Sequence, residues 1–321
     1  MRKKLLAFFF GVICFLSCAC GFSACKKDDR QKIVVTVFPE YDWVINVLGD
    51  KKQEYNLILL QNNGADLHNF QPTIADKGRI LDSAMFIYVG GESDKWAEDM
   101  LVGNKIPSVI NLMDVLGDKA IEEEEMEDEE EHEHEHEHGE KEYDEHVWLS
   151  LKNTKIFVQE IAEELGRVNP ENAEVYRNNA GNYIAELTAL DEEYERAVAE
   201  GEKAAIVVAD RFPFLYLTSD YGITYFAAFS GCSAETQANP LTIARLAEKT
   251  DEYGLNAIIK LEGSDGRWAE AVKSATTNKN QKILTLDSMQ TTVIKDGKTY
   301  LAAMRSNLEV LKEALEVPAG A

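Results

Sequence analysis

The chain has 321 residues, 45% of them hydrophobic, and a formal net charge of −24, enough apolar material to give a core to each of two ordinary domains. Sixteen of its acidic residues lie between 122 and 145 against the single Lys141, so most of the charge excess belongs to one stretch. Clusters of Lys and Arg that could neutralise phosphates are missing, which excludes nucleic acid as a partner.

Arg2, Lys3 and Lys4 precede a mostly apolar run from Leu5 to about Ala19, the pattern of an export signal over residues 1–24. FSAC, ending at Cys25, resembles a bacterial lipobox, with Cys20 its competitor. Lipidation at Cys25 would anchor the protein to the outer face of the cell membrane through a polar tether, residues 25–32. Outside this segment only Cys232 remains, so no internal disulfide is expected in the folded part.

From residue 33, short β-branched runs alternate with helical stretches. Strands are expected at 33–38, 55–61, 85–90 and 108–112, with a helix through Trp43, Val44 and Val47 ending at Gly49. The acidic run follows. It places His132, His134, His136 and His138 at alternate positions among glutamates, a composition with nothing to bury that predicts a disordered loop over 120–145. Neutral imidazoles inside an acidic field suit a first-row cation such as zinc, and these four histidines form a candidate auxiliary metal store.

Two helical segments come next, split by Asn169-Pro170. In the second, Tyr176, Ala180, Tyr183, Leu187, Leu190, Tyr194 and Ala197 recur at steps of three or four, keeping one face apolar until Gly201. Strands are then expected at 204–209, 225–229, 256–261 and 282–286, with helices between and a final helix near 301–315. This pattern predicts an α/β fold of two lobes, each a mainly parallel sheet flanked by helices. The lobes span 33–165 and 203–321 and are joined by a long rigid helix over 170–200. A ligand cleft is expected between them, at the carboxyl ends of the strands.

The candidate ligands fall at such ends. His68 follows the second strand, in a loop where Gly64 allows a sharp turn and Pro72-Thr73 opens the next helix. His146 precedes an apolar pair and Ser150, a candidate helix cap. Asp210, Glu262 and Asp287 each follow a strand of the second half, and Glu235 lies in another of its loops. Two imidazoles and two carboxylates suit zinc, or equally manganese. The histidine-rich run favours zinc. HExxH matches only within the alternating run (HEHEH at 132–136 and 134–138), which offers no fixed geometry, GxSxG, P-loop and GxGxxG motifs do not occur, and no enzymatic activity is expected.

Together VVTVFPEYDWVINVLGD, GADLHNFQPT, YVGGESDKW, DEHVWLS and DYGI resemble motifs of the zinc and manganese solute-binding lipoproteins of bacterial ABC importers, grouped also with adhesin lipoproteins. The family's second histidine motif usually has Pro where Glu145 stands. The resemblance implies two α/β lobes, one metal in the cleft, and delivery by a monomer to a membrane permease. It maps the first two ligands onto His68 and His146 and the fourth onto Asp287. The third ligand column falls on Arg211, which has no lone pair to offer. Asp210 is therefore expected to shift into that role, with Glu235 or Glu262 as substitutes, and Arg211 to pair with one of these acids.

Overall fold

The computed structural model describes residues 28–123, 142–231 and 239–318. Cys25, Cys232, Glu235 and the four alternating histidines His132, His134, His136 and His138 lie outside the described residues.

Residues from Gln31 onward build two sheets of the same design. In the first, β1 (Gln31–Val35), β2 (Tyr55–Leu59), β3 (Met85–Tyr88) and β4 (Ser108–Asn111) run parallel in the order β2-β1-β3-β4. In the second, β5 (Ala205–Phe212), β6 (Thr224–Ser230), β7 (Ala257–Leu261) and β8 (Lys282–Leu286) repeat it as β6-β5-β7-β8. In each sheet the order reverses beside the first strand, the kind of switch point beyond whose carboxyl ends ligands bind in open α/β sheets.

Helix boundaries follow local chemistry. The expected first strand, 33–38, stops at Val35 because Phe38 and Pro39 open α1 (Phe38–Leu48), with Pro in the first turn. Glu40 folds back to accept the N–H groups of Thr36 (2.7 Å) and Val37 (3.2 Å), satisfying donors the helix start would otherwise orphan. Thr73 caps α2 (Ile74–Leu81) and Ser150 caps α5 (Leu151–Val168), the first through Asp76 N–H and the second through Asn153 N–H. Between these lie α3 (Lys95–Leu101) and α4 (Leu112–Leu116). Asn169-Pro170 breaks the chain before α6 (Ala173–Glu200), whose 28 residues span about 42 Å at 1.5 Å per residue.

All seven residues of the expected apolar stripe on α6, from Tyr176 to Ala197, are buried. The helix packs on α5 and α1 and on the last helix, α10 (Tyr300–Ala314). One hydrophobic cluster runs from Ile33 and Trp43 through Leu187 to Ile206 and Leu286, so both sheets share a core. The second sheet is also covered by α7 (Leu215–Tyr221), α8 (Pro240–Glu252) and α9 (Arg267–Ala275).

One departure bears on the site. The fifth strand was expected to end at Ala209 with Asp210 just past it, but β5 continues to Phe212 through a register irregularity between Val208 and Arg211. The extra residue re-aims the strand end.

Candidate metal centre

His68 and His146, 78 residues apart, meet with their Nε2 atoms 3.3 Å apart. The same local device sets each. In Asp66-Leu67-His68 the aspartate Oδ1 accepts the histidine N–H at 3.1 Å, and in Asp144-Glu145-His146 it does so at 2.7 Å. These Asx turns fix the backbone just ahead of each imidazole. Asp144 Oδ1 also contacts His146 Nδ1 at 3.0 Å, while His68 Nδ1 meets Ser93 Oγ at 2.9 Å. With the Nδ1 atoms engaged, the two Nε2 atoms face each other, and an outer carboxylate orients the His146 ring as in many metal sites.

That separation has a direct reading. Two nitrogens bound to zinc at about 2.0–2.1 Å, at the tetrahedral angle, lie about 3.3 Å apart. The observed separation equals that length. Without a cation, facing lone pairs repel unless a proton lies between them. Burial and the neighbouring His146 push the His68 pKa down to about 4. Burial also opposes charge on His146, but Asp144, by its charge and its hydrogen bond, with help from Glu145, outweighs this and raises that imidazole above its ordinary value. Of the two rings, His146 therefore holds a proton more readily than His68.

The second half of the chain closes over His146. Gly231 comes so near that a Cβ there would sit 3.1 Å from His146 Cε1 and 2.9 Å from the Phe212 carbonyl oxygen. Tyr216 donates its hydroxyl to the Asp144 carbonyl at 3.0 Å, and Trp148 donates Nε1–H to the Ser288 carbonyl at 2.8 Å. His146 is fully buried as a result.

The expected acids do not join the pair. Asp210 Oδ1 accepts from Arg211 N–H (3.1 Å) and Oδ2 from Leu261 N–H (3.4 Å). Asp287 accepts from Met289 N–H (2.9 Å) and pairs with Lys298 (2.7 Å). Glu262, raised to about 7 by burial, takes hydrogen bonds from Ser288 N–H (2.8 Å) and Oγ (2.5 Å). Among the described residues no three His, Cys, Asp or Glu side chains are gathered closely enough to hold a metal ion. Of the four expected ligands, the structure brings together His68 and His146 and leaves Asp210 and Asp287 with other partners.

A family model described as the zinc-uptake complex component A, periplasmic (ZnuA), matches residues 33–314. The chain belongs to the ZnuA family. It is 29% identical over 325 residues to the high-affinity zinc uptake system protein ZnuA of Bacillus subtilis (strain 168), covering 99% of each. It is 25% identical to the zinc-binding protein AdcA of Streptococcus pyogenes serotype M3, where 99% of this chain spans only 62% of the relative's length. Among solved structures, a mutant of the laminin-binding adhesin of Streptococcus agalactiae superposes with a TM-score of 0.72 at 25% identity, covering 89% of this chain and 99% of that one.

Within this ZnuA fold, Arg211 takes an unexpected partner. It was expected to pair with one of the strand-end acids. Its guanidinium instead crosses to Asp66 Oδ2 at 2.5 Å, on the turn that carries His68. Burial opposes charge on Asp66, yet the hydrogen bond and charge of Arg211 hold its carboxyl below the ordinary range. The bulge in β5 brings Arg211 across, something no local sequence rule signals. By contrast Asp66 and Asp144 are marked in the sequence: both stand two residues before a histidine.

Proposed function

We propose that the protein is an extracytoplasmic receptor that captures Zn²⁺ and hands it to the permease of an ABC importer. The observation that carries this is the facing pair, His68 Nε2 and His146 Nε2 at 3.3 Å, held by outer carboxyl and hydroxyl groups in a chain of the ZnuA family. Relatives named for zinc binding and zinc uptake support zinc over manganese.

In this reading His68 and His146 are the first two ligands, and Asp210 and Asp287 fill the remaining positions. Asp287 must then leave Lys298, and Asp210 must give up its backbone donors. Capture therefore includes a small rearrangement of the β5 and β8 ends, and its reversal offers a route to release. The shared core and α6 favour such local shifts over wide opening of the lobes. Cys25 carries the lipid anchor, His132, His134, His136 and His138 gather ions, and the receptor works as a monomer without catalytic groups.

Calorimetric titration of zinc into the full-length chain with those four histidines replaced by alanine tests the assignment. His68→Ala and His146→Ala are each expected to weaken the tight site about 100-fold or more, since each removes a ligand from a four-ligand shell. Unchanged tight binding in both variants would overturn it.

A further inference from the structure

Just past β8, the chain is clamped along its backbone. Asn307 on α10 grips Asp287 from both sides, accepting its N–H through Oδ1 at 2.9 Å and donating Nδ2–H to its carbonyl at 2.8 Å. Ser288 is fixed as well. Its N–H goes to Glu262 at 2.8 Å, and its carbonyl accepts from Trp148, whose ring centroid lies 5.4 Å from that of His146. The fully buried Met289 then turns the chain at φ +62°, a left-handed conformation strained for any residue with a Cβ. Such strain persists only where the surroundings over-determine it, so this backbone has little freedom to move.

The side chain of Asp287 is held differently. Oδ1 accepts Met289 N–H at 2.9 Å, and Oδ2 accepts from the ammonium of Lys298 at 2.7 Å. Lys298 stands two residues before α10, and its side chain is 42% exposed. An ion pair so open to water shifts an equilibrium by about fivefold at most. Asp287 can therefore exchange Lys298 for another cation through its side chain alone, over a backbone that stays in place.

We propose that Lys298 is an internal competitor of zinc for Asp287, a positioning residue that sets how tightly the ion is held. Its ammonium keeps the carboxylate before capture and gives it up as the ion binds. This rests on the reading of Asp287 as a ligand. Recapture of a detached Asp287 by Lys298 also speeds release, because a carboxylate with a second cation at hand returns to the first more slowly.

Zinc titration against a competing chelator, with stopped-flow dissociation, tests this on the full-length chain with His132, His134, His136 and His138 replaced by alanine. Lys298→Met is expected to bind zinc about fivefold more tightly, mainly through slower dissociation. Lys298→Arg keeps a cation for the carboxylate and is expected to match the parent. Asp287→Asn is expected to weaken binding about tenfold or more, and adding Lys298→Met to it is expected to change nothing further, since Lys298 acts through that carboxylate. Unchanged or weaker binding in Lys298→Met alone would overturn the proposal. So would equal tightening in the Asp287→Asn background, which would make Lys298 a remote repelling charge. Tight binding kept by Asp287→Asn would overturn it together with the ligand role of Asp287, leaving His68 and His146 to be judged by their own variants.

Discussion

Asp144 holds His146 twice, by its backbone N–H and by Nδ1, and this double grip sets how the imidazole titrates. A ligand histidine must be neutral to bind metal. Because the folded protein raises the His146 pKa, proton competition begins above the ordinary imidazole range. Zinc affinity is expected to fall about tenfold per pH unit once the pH is below that value, one proton being displaced per ion. Asp144→Asn is expected to move this onset to lower pH and to weaken zinc about 10–100-fold where His146 is fully neutral, because ring orientation and basicity are both lost. Calorimetry across pH, with NMR titration of the His146 ring, reads both; an unchanged onset would show that Asp144 does not govern the proton. His68 differs, since Ser93 and the neighbouring Glu145 face its Nδ1 and its own basicity is depressed. The pair is unequal by construction, although each motif has the same Asp-x-His spacing.

Element by element, most of the architecture was legible. Eight short β-branched runs became the eight described strands, and Ser150, Thr73 and Asn169-Pro170 marked helix limits as capping chemistry requires. The end of β5 was not legible, because an irregularity in strand pairing depends on the partner strand and not on the residues of β5 alone. The start of α1 shows how a buried acid serves an element. Glu40 is wholly buried and pushed up to about 8, mainly by desolvation, yet it accepts two backbone N–H groups and faces Thr36 Oγ at 3.2 Å. Glu40→Ala is expected to lose about 1–3 kcal/mol by orphaning those donors. Glu40→Gln keeps an acceptor and removes the buried charge, so near pH 8 it is expected to be at least as stable as the parent. Urea denaturation of the two variants separates these roles, and equal losses in both would show that the charge itself is needed.

At the scale of the whole molecule, several buried groups bind protons more tightly in the fold than in the open chain. Glu40 is raised to about 8, and Asp94 and Glu262 to about 7, each mainly by burial. Between the ordinary carboxyl range and these values the folded state holds protons that the unfolded state has released, so stability falls as pH rises through this window. His146, also raised, adds to the same trend. His68 opposes it only between about 4 and its ordinary value. The metal-free protein is therefore expected to melt at a lower temperature near pH 8.5 than near pH 6.5, as read by scanning calorimetry across the upper part of the window. Zinc reverses the slope, because deprotonated ligands bind it better and bound ligand stabilises the fold by mass action. Parallel slopes with and without zinc would mean that the ion does not displace protons from this pair.

Some properties were settled by the order of residues alone. Apolar runs of period two and three to four set the strands and helices, and their alternation set parallel sheets. Two histidine motifs and the acids at strand ends pointed to a cation only when taken together, since a loop imidazole by itself is more often a surface or capping group. Tertiary structure decided what lies at long range: that the Nε2 atoms of His68 and His146 meet at 3.3 Å, that Arg211 reaches Asp66, and that Asp210 and Asp287 are engaged elsewhere. The reason is physical. Capping, turn chemistry and periodicity act over a few neighbouring residues, whereas a contact between side chains 78 residues apart depends on how the sheets and a shared core bring distant loops to the same point.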